Sequence, residues 1–247
     1  MALLPSTESM TIELPSAEFP NRFQRESLNL INSLFKLSSS AFYLVDPDMR
    51  HRGVVLRNLE PEVERDYANN FRQLDPLNPA LFARTQHKVV CIDEQMSEEH
   101  LLQSDYYLEF MAPNNHRHVA DMFFRRENDI IAVLTMLRAE QEGPFAVDEL
   151  IHLRTLQPFL EYTLNSVYLP KRIQQRRGAQ EQFGLTEREV DVLELMVAGA
   201  NNKEIARELG LSLATVKTHI QHIFHKASVS SRTALSARVL GECLTVN

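Results

Sequence analysis

At 247 residues the chain is long enough for two domains with cores of their own. Its apolar fraction of 44% is ordinary, and no run of about 18 apolar residues occurs, which argues against a membrane span. The net charge of -7 is unevenly spread, with 15 Lys and Arg against 25 Asp and Glu over residues 1–170, four basic and no acidic residues over 171–180, and 7 against 8 over 181–247.

Residues 1–20 mix Pro, Ser and Thr without period and read as a loose lead. From Asn21 a helix is expected, with Phe23, Leu30, Leu34 and Leu37 at helical spacing and Leu28, Ile31 and Phe35 widening the stripe. SAFYLVD is a strand with Phe42 and Leu44 on one face and Tyr43 and Val45 on the other; Asp46-Pro47-Asp48 turns it into a second strand around 53–56. Pro61 opens a helix to about Leu74, where DPLNP breaks it. A short helix, the strand HKVVCID, and helical turns through 98–102 and 105–111 follow. HVADMFFRR and DIIAVLTMLR form a second hairpin across Glu127-Asn128-Asp129.

A long helix spans 146–169, with Val147, Leu150, Leu153, Leu156, Leu160, Leu164 and Val167 advancing by three or four residues. Pro158 should kink it and Pro170 should end it. Its seam fits either a coiled-coil pairing or packing on its own domain. The basic stretch KRIQQRRGAQ then begins a linker over 171–183. The order of elements suggests an antiparallel sheet of about five strands flanked by helices. That layout resembles GAF and PAS-like sensor domains, a fold-level likeness that does not fix function.

The last segment, 184–247, is dense in helix signals. Thr186 and Glu189 form a capping box with Leu185 and Val190 as its staple; Val190, Leu193 and Val197 make a stripe that Gly199 stops. Asn201 and Glu204 repeat the capping logic for a short second helix with Ile205 and Leu209 inward. Gly210 turns the chain, and Ser212 caps a third helix with Val216, Ile220, Ile223 and Ala227 on one arc. Two capped helices around a Gly turn are a helix-turn-helix signature. Opposite that arc lie Ala214, Thr218, Gln221 and His225, flanked by Thr215, Lys217 and His222, while His219 sits near the buried edge as a packing residue. No acidic residue occurs from Leu213 to Ala227. A small bundle with a solvated face would usually mix Glu with Lys there; this face instead suits a DNA major groove.

The run LTEREVDVLELMVAG, then NNKEIARELGLSLATVKTHIQHIFHK, then VSSRTALSA, about 55 residues, closely resembles the LuxR/NarL/GerE type of DNA-binding domain. The resemblance implies an all-α four-helix domain beside the α+β sensor domain, with base contacts at Lys217, Thr218 and Gln221 and a dimer contact from the helix after Ser231. Thr215, Lys203 and His222 are expected at phosphates. Ala227 departs from the usual Leu. Double-stranded DNA and a second copy of the chain are therefore the expected partners.

For the first domain, Phe42, Tyr67, Phe71, Tyr106, Tyr107, Phe110, Met122 and Phe124 are candidate pocket-lining residues, with Asp75 as a polar anchor for a small-molecule effector. The alternative for each of these aromatics is an ordinary place in the core, and for Asp75-Pro76 a helix-terminating turn. Tyr67, Phe71 and Asp75-Pro76 resemble the motif of acyl-homoserine-lactone receptors. The chain departs from that pattern in having no Trp, in placing Tyr67 eight rather than nine residues before Asp75, and in carrying APNNHRH for a Gly-rich turn, so it looks closer to GAF-type LuxR regulators not tied to lactones. The alternative is a filled, ligand-free interaction module; a cavity ringed by Tyr67, Asp75 and Phe110 discriminates the two.

His116 with His118, and His87 with Cys91, form no closed zinc pattern, and exposed or capping histidines are expected. Cys91 is expected as a small buried hydrophobe rather than a redox sensor. The N-terminus lacks a signal-peptide pattern, and two cysteines, Cys91 and Cys243, suit a reducing cytoplasm. No P-loop, dinucleotide turn, nucleophile setting or phospho-acceptor order is present, so neither an enzyme nor a cofactor is expected.

Overall fold

The computed structural model describes residues 21–46 and 49–242, with the side chains of 171 and 240–242 left aside. The lead over 1–20, Pro47 and Asp48 of the expected turn, and Cys243 lie outside the described residues. The chain divides into two compact units, the first Asn21–Gln174 and the second beginning at Gln175.

In the first unit, α1 (Arg22–Leu34) precedes β1 (Ser39–Val45) and β2 (His51–Arg57), followed by α2 (Pro61–Asp66), β3 (Val89–Cys91), α3 (Ile92–Gln95) and α4 (Glu98–Gln103). The hairpin β4 (His118–Arg126) and β5 (Asp129–Arg138) leads to α5 (Val147–Thr163). All five strands form one antiparallel sheet in the order β2-β1-β5-β4-β3. The β1–β2 hairpin thus takes one edge and β3 the other, and β5 brings the two hairpins together at the centre.

Alternation along the strands gives the sheet two apolar faces, each covered by helix. Phe42, Ala120, Met122, Phe124 and Leu134 meet Leu28 and Ile31 of α1 and Leu150, Leu153 and Leu160 of α5. Ala41, Tyr43, Val119, Phe123 and Val133 face Leu77, Phe82, Leu101 and Phe110 on the other side. Arg138 closes the α5 end: its guanidinium donates to both Glu149 oxygens (3.0 and 2.7 Å) and lies over the Phe145 ring.

Two expectations shift. The α1 stripe is rotated, because Leu28 and Ile31 are buried while Leu34 is 55% exposed, leaving the sheet to select one side of a widely apolar helix. Of the two roles open to the α5 stripe, packing on its own sheet is the one observed, with Val147 and Val167 exposed. Pro170 does not end the helical run. A π segment, Leu164–Tyr168, hands over to α6 (Leu169–Phe183), which has Pro170 in its first turn, where a missing N–H costs little.

The second unit contains the C-terminal part of α6 and α7 (Glu187–Val197), α8 (Asn202–Glu208), α9 (Leu213–Lys226) and α10 (Arg232–Glu242). The stretch expected as a linker is helical, and Ala179 and Phe183 are buried in this unit's core with Val190, Leu193, Ile205, Val216 and Ile223. Arg176 fixes that packing through ion pairs to Asp191 (2.9 Å) and Glu194 (2.6 Å).

Candidate functional site

The caps that shape the helix-turn-helix are local hydrogen bonds. Thr186 Oγ1 accepts from the Glu189 N–H (3.3 Å) while Glu189 Oε2 accepts from the Thr186 N–H (2.8 Å). Asn201 Oδ1 accepts from the N–H groups of Lys203 and Glu204, and Glu204 Oε2 accepts from the Asn201 N–H. Ser212 Oγ accepts from the Thr215 N–H at 3.1 Å, opening α9. Gly199 and Gly210 have φ of 94° and 63°, the left-handed backbone that lets each preceding helix stop and the chain turn.

On α9, Val216, Ile223 and Ala227 are buried; Ile220 and His219 are half-buried at the edge. Ala227 fills its place in the core at 1% exposure. Lys217, Thr218, Gln221, Thr215 and His222 are all exposed, and so is Lys203 at the start of α8. The Thr218 hydroxyl donates back to the Ala214 carbonyl (3.1 Å), so its methyl is the group left for an apolar contact. His222 stands 3.7 Å from Glu189. The outward side of α9 thus carries Thr215, Lys217, Thr218, Gln221 and His222, with no carboxylate among them.

The first unit holds a cavity over the second face of the sheet. Its floor comes from Ala41 and Tyr43 of β1, Val119 and Asp121 of β4, and Thr135 of β5; Asp121 and Thr135 are cross-strand neighbours. Its walls come from His51, Glu64, Tyr67, Asp75, Tyr106 and Phe110, with His116 between the last of these and β4. Two wall segments, Tyr67–Phe71 and Tyr106–Met111, are π turns, a widening of the helix that is frequent at functional sites.

Of the residues expected to line a pocket, Tyr67, Asp75, Tyr106 and Phe110 do so. Phe71 stands behind the wall, stacked on Phe110 with centroids 5.1 Å apart, and Tyr107 lies under the Arg117 guanidinium. Phe42, Met122 and Phe124 are corrected. They project from the opposite face of the sheet into the core with α1 and α5, where Phe42 stacks on Phe124 at 5.2 Å. Strand alternation separates them from Tyr43 and Asp121, and the sequence does not say which face a cavity occupies.

Asp75 has both roles weighed for it. Its Oδ1 accepts from the Leu77 N–H (2.7 Å), forming the turn, and its Oδ2 accepts from the Tyr67 hydroxyl (2.7 Å) at the cavity wall. Burial raises its pKa, although the hydrogen bonds from Tyr67 and Leu77 pull the other way. Asp121 was not anticipated. It is 3% exposed, its Oδ1 has no hydrogen-bond partner, and burial followed by the nearby Asp75 carboxylate pushes its pKa well above the ordinary carboxylate range. A lone Asp at an inward position of the apolar strand HVADMFFRR is the signal that could have found it. His51 and Glu64 carried no such signal.

The histidines differ from expectation. His116 and His118 are each 6% exposed, because the start of β4 runs beneath the turns that precede it. His118 Nδ1 faces Asp93 Oδ2 at 3.2 Å, and burial lowers the His116 pKa to about 4. Cys91 is buried, and burial pushes its thiol up to about 12, so it packs as a thiol rather than reacting as a thiolate. Among the described residues no group of three or more His, Cys, Asp or Glu is arranged to hold a metal ion, and no helix is long and apolar enough to cross a membrane.

Residues 184–239 match the family described as bacterial regulatory proteins, luxR family. The likeness to one relative runs through both units: the chain is 33% identical over 215 residues to the monoamine regulon transcriptional regulator of Klebsiella aerogenes, covering 85% of this chain and 87% of that protein. The chain belongs to the luxR family of transcriptional regulators. Similar solved structures include Escherichia coli SdiA, at 20% identity over 95% of this chain and 94% of that one with a TM-score of 0.42. The VqsR LBD domain of Pseudomonas aeruginosa matches at 12% identity over 59% of this chain and 85% of that one, with a TM-score of 0.45.

Proposed function

We propose that this regulator acts in the bacterial cytoplasm as a homodimer, reads a pseudo-palindromic DNA site with α9, and responds to a small molecule held in the cavity of its first unit. The observation that carries the DNA reading is the exposed, carboxylate-free side of α9, presented by a helix whose other side is anchored through Val216 and Ile223. Lys217 suits guanine, Gln221 suits adenine in bidentate fashion, and the Thr218 methyl suits thymine. Lys203, Thr215 and His222, near the starts of α8 and α9 or beside the groove face, serve phosphates and set the register.

The cavity ringed by Tyr67, Asp75 and Phe110 favours sensing over a filled interaction module. An effector controls DNA binding only through different affinities for the competent and incompetent arrangements of the dimer. Footprinting on genomic fragments at fixed salt tests this reading. The expected result is a protected region of two related half-sites, centred about one helical turn apart. Protection with no repeated half-site, or none at all, contradicts it.

A further inference from the structure

The cavity's polar atoms are out of balance in one direction. Glu64, Asp75 and Asp121 bring three carboxyl groups to its lining, and no Lys or Arg lines it. Asp121 Oδ1, His51 Nε2 and His116 Nδ1 are buried without hydrogen-bond partners. His51 directs its Nδ1 at Glu64 Oε1 (3.1 Å); a carboxylate only accepts, so that nitrogen carries a proton. His116, held neutral by burial, adds no positive charge. The lining thus sets three carboxyl groups against no Lys or Arg.

A buried polar atom left unpaired costs free energy that a ligand can recover. A lactone or ester presents mainly carbonyl acceptors to such a lining, whereas a protonated amine presents three N–H donors and a charge. Aromatic faces complete the match: His51 stacks on Tyr43 at 3.6 Å between centroids, and Tyr67 and Tyr106 each lie 5.6 Å from Phe110. Such rings attract a cation and pack against an apolar body.

We propose that the cavity takes a small organic cation, a primary ammonium on a short aromatic or aliphatic body, with the ammonium at Asp121 and His51 and the body against Tyr67, Tyr106 and Phe110. This rests on the effector reading above and assigns its chemical class. Asp121 is then held at a cost to the free protein, which the ligand offsets.

The test is calorimetric titration and thermal shift on the full-length protein with four probes: 2-phenylethylamine, its neutral isostere 2-phenylethanol, 3-phenylpropanoate, and N-hexanoyl homoserine lactone. The amine is expected to bind at least about tenfold more tightly than the alcohol, one tenfold step being 1.4 kcal/mol. Asp121→Asn is expected to abolish that preference while leaving the ligand-free Tm equal to or above that of the unsubstituted chain, where a purely structural Asp would lower it. Equal or tighter binding of the alcohol, the acid or the lactone overturns the amine assignment and leaves small-molecule control standing. No binding by any probe to the unsubstituted protein also overturns the assignment. An Ala41→Leu chain, with the cavity floor filled, that regulates like the unsubstituted one removes the effector reading as well. The ranking of probes on the unsubstituted chain decides the matter even if Asp121→Asn fails to fold.

Discussion

Glu189 accepts from both the N–H and the hydroxyl of Thr186 and pairs with Lys226 Nζ at 2.7 Å, joining the start of α7 to the end of α9. Burial alone would raise its pKa, but the Lys226 ammonium and the Thr186 donors together hold it below the ordinary value. A folded pKa below the unfolded one stabilises above the unfolded pKa of about 4.3, and the contribution is lost as pH falls through the depressed folded value. Glu189→Gln should therefore destabilise the second unit by about 1–2 kcal/mol at pH 7, with the difference fading below pH about 4. Amide exchange over α7 and α9 in the full-length chain measures this. An equal difference at pH 7 and pH 3 would contradict the ionic part of the account. This capping box is legible in the sequence because its partners sit three residues apart. The pairing with Lys226 is not, since it depends on how α7 and α9 cross. Asp121 marks the same boundary: its inward position follows from alternation, whereas its place in a cavity follows from which helices roof that face of the sheet.

At the scale of elements, α5 has two apolar sides. Leu150, Leu153, Leu160 and Leu164 are buried against the sheet, while Val147, Ile151, Phe159 and Tyr162 are 75, 54, 64 and 65% exposed and recur at helical spacing. The sequence shows a helix apolar on too wide an arc for one partner but does not divide it, because both arcs advance by three or four residues. In the homodimer proposed above, this exposed arc is the expected contact, because aromatic residues are enriched among the side chains that dominate interface free energy. Phe159→Asp with Tyr162→Asp should shift the full-length protein from dimer to monomer in sedimentation equilibrium, weakening self-association at least about 100-fold, or about 2.7 kcal/mol. Undiminished dimerisation would place the contact elsewhere. The π turns and the helical continuation past Pro170 were not legible either. Local rules place helix ends at prolines, and a widened turn sets them aside only where packing on the sheet favours it.

For the whole molecule, the charge distribution assigns the work of DNA recognition. From residue 171 onward the chain has 11 basic and 8 acidic residues, so general attraction to phosphate is weak, and the 25 acidic residues before it add none. On the proposed reading, affinity then comes from base contacts doubled by dimerisation, with specificity concentrated in Lys217, Thr218 and Gln221. The most direct measurement is fluorescence anisotropy at fixed salt, comparing the protected site with unrelated duplex for the unsubstituted chain, Lys217→Ala and Gln221→Ala. Each substitution is expected to cost about 1–3 kcal/mol on the specific site, roughly 5- to 150-fold, with much less effect on unrelated DNA. Unchanged discrimination in both variants would show that α9 does not read the bases.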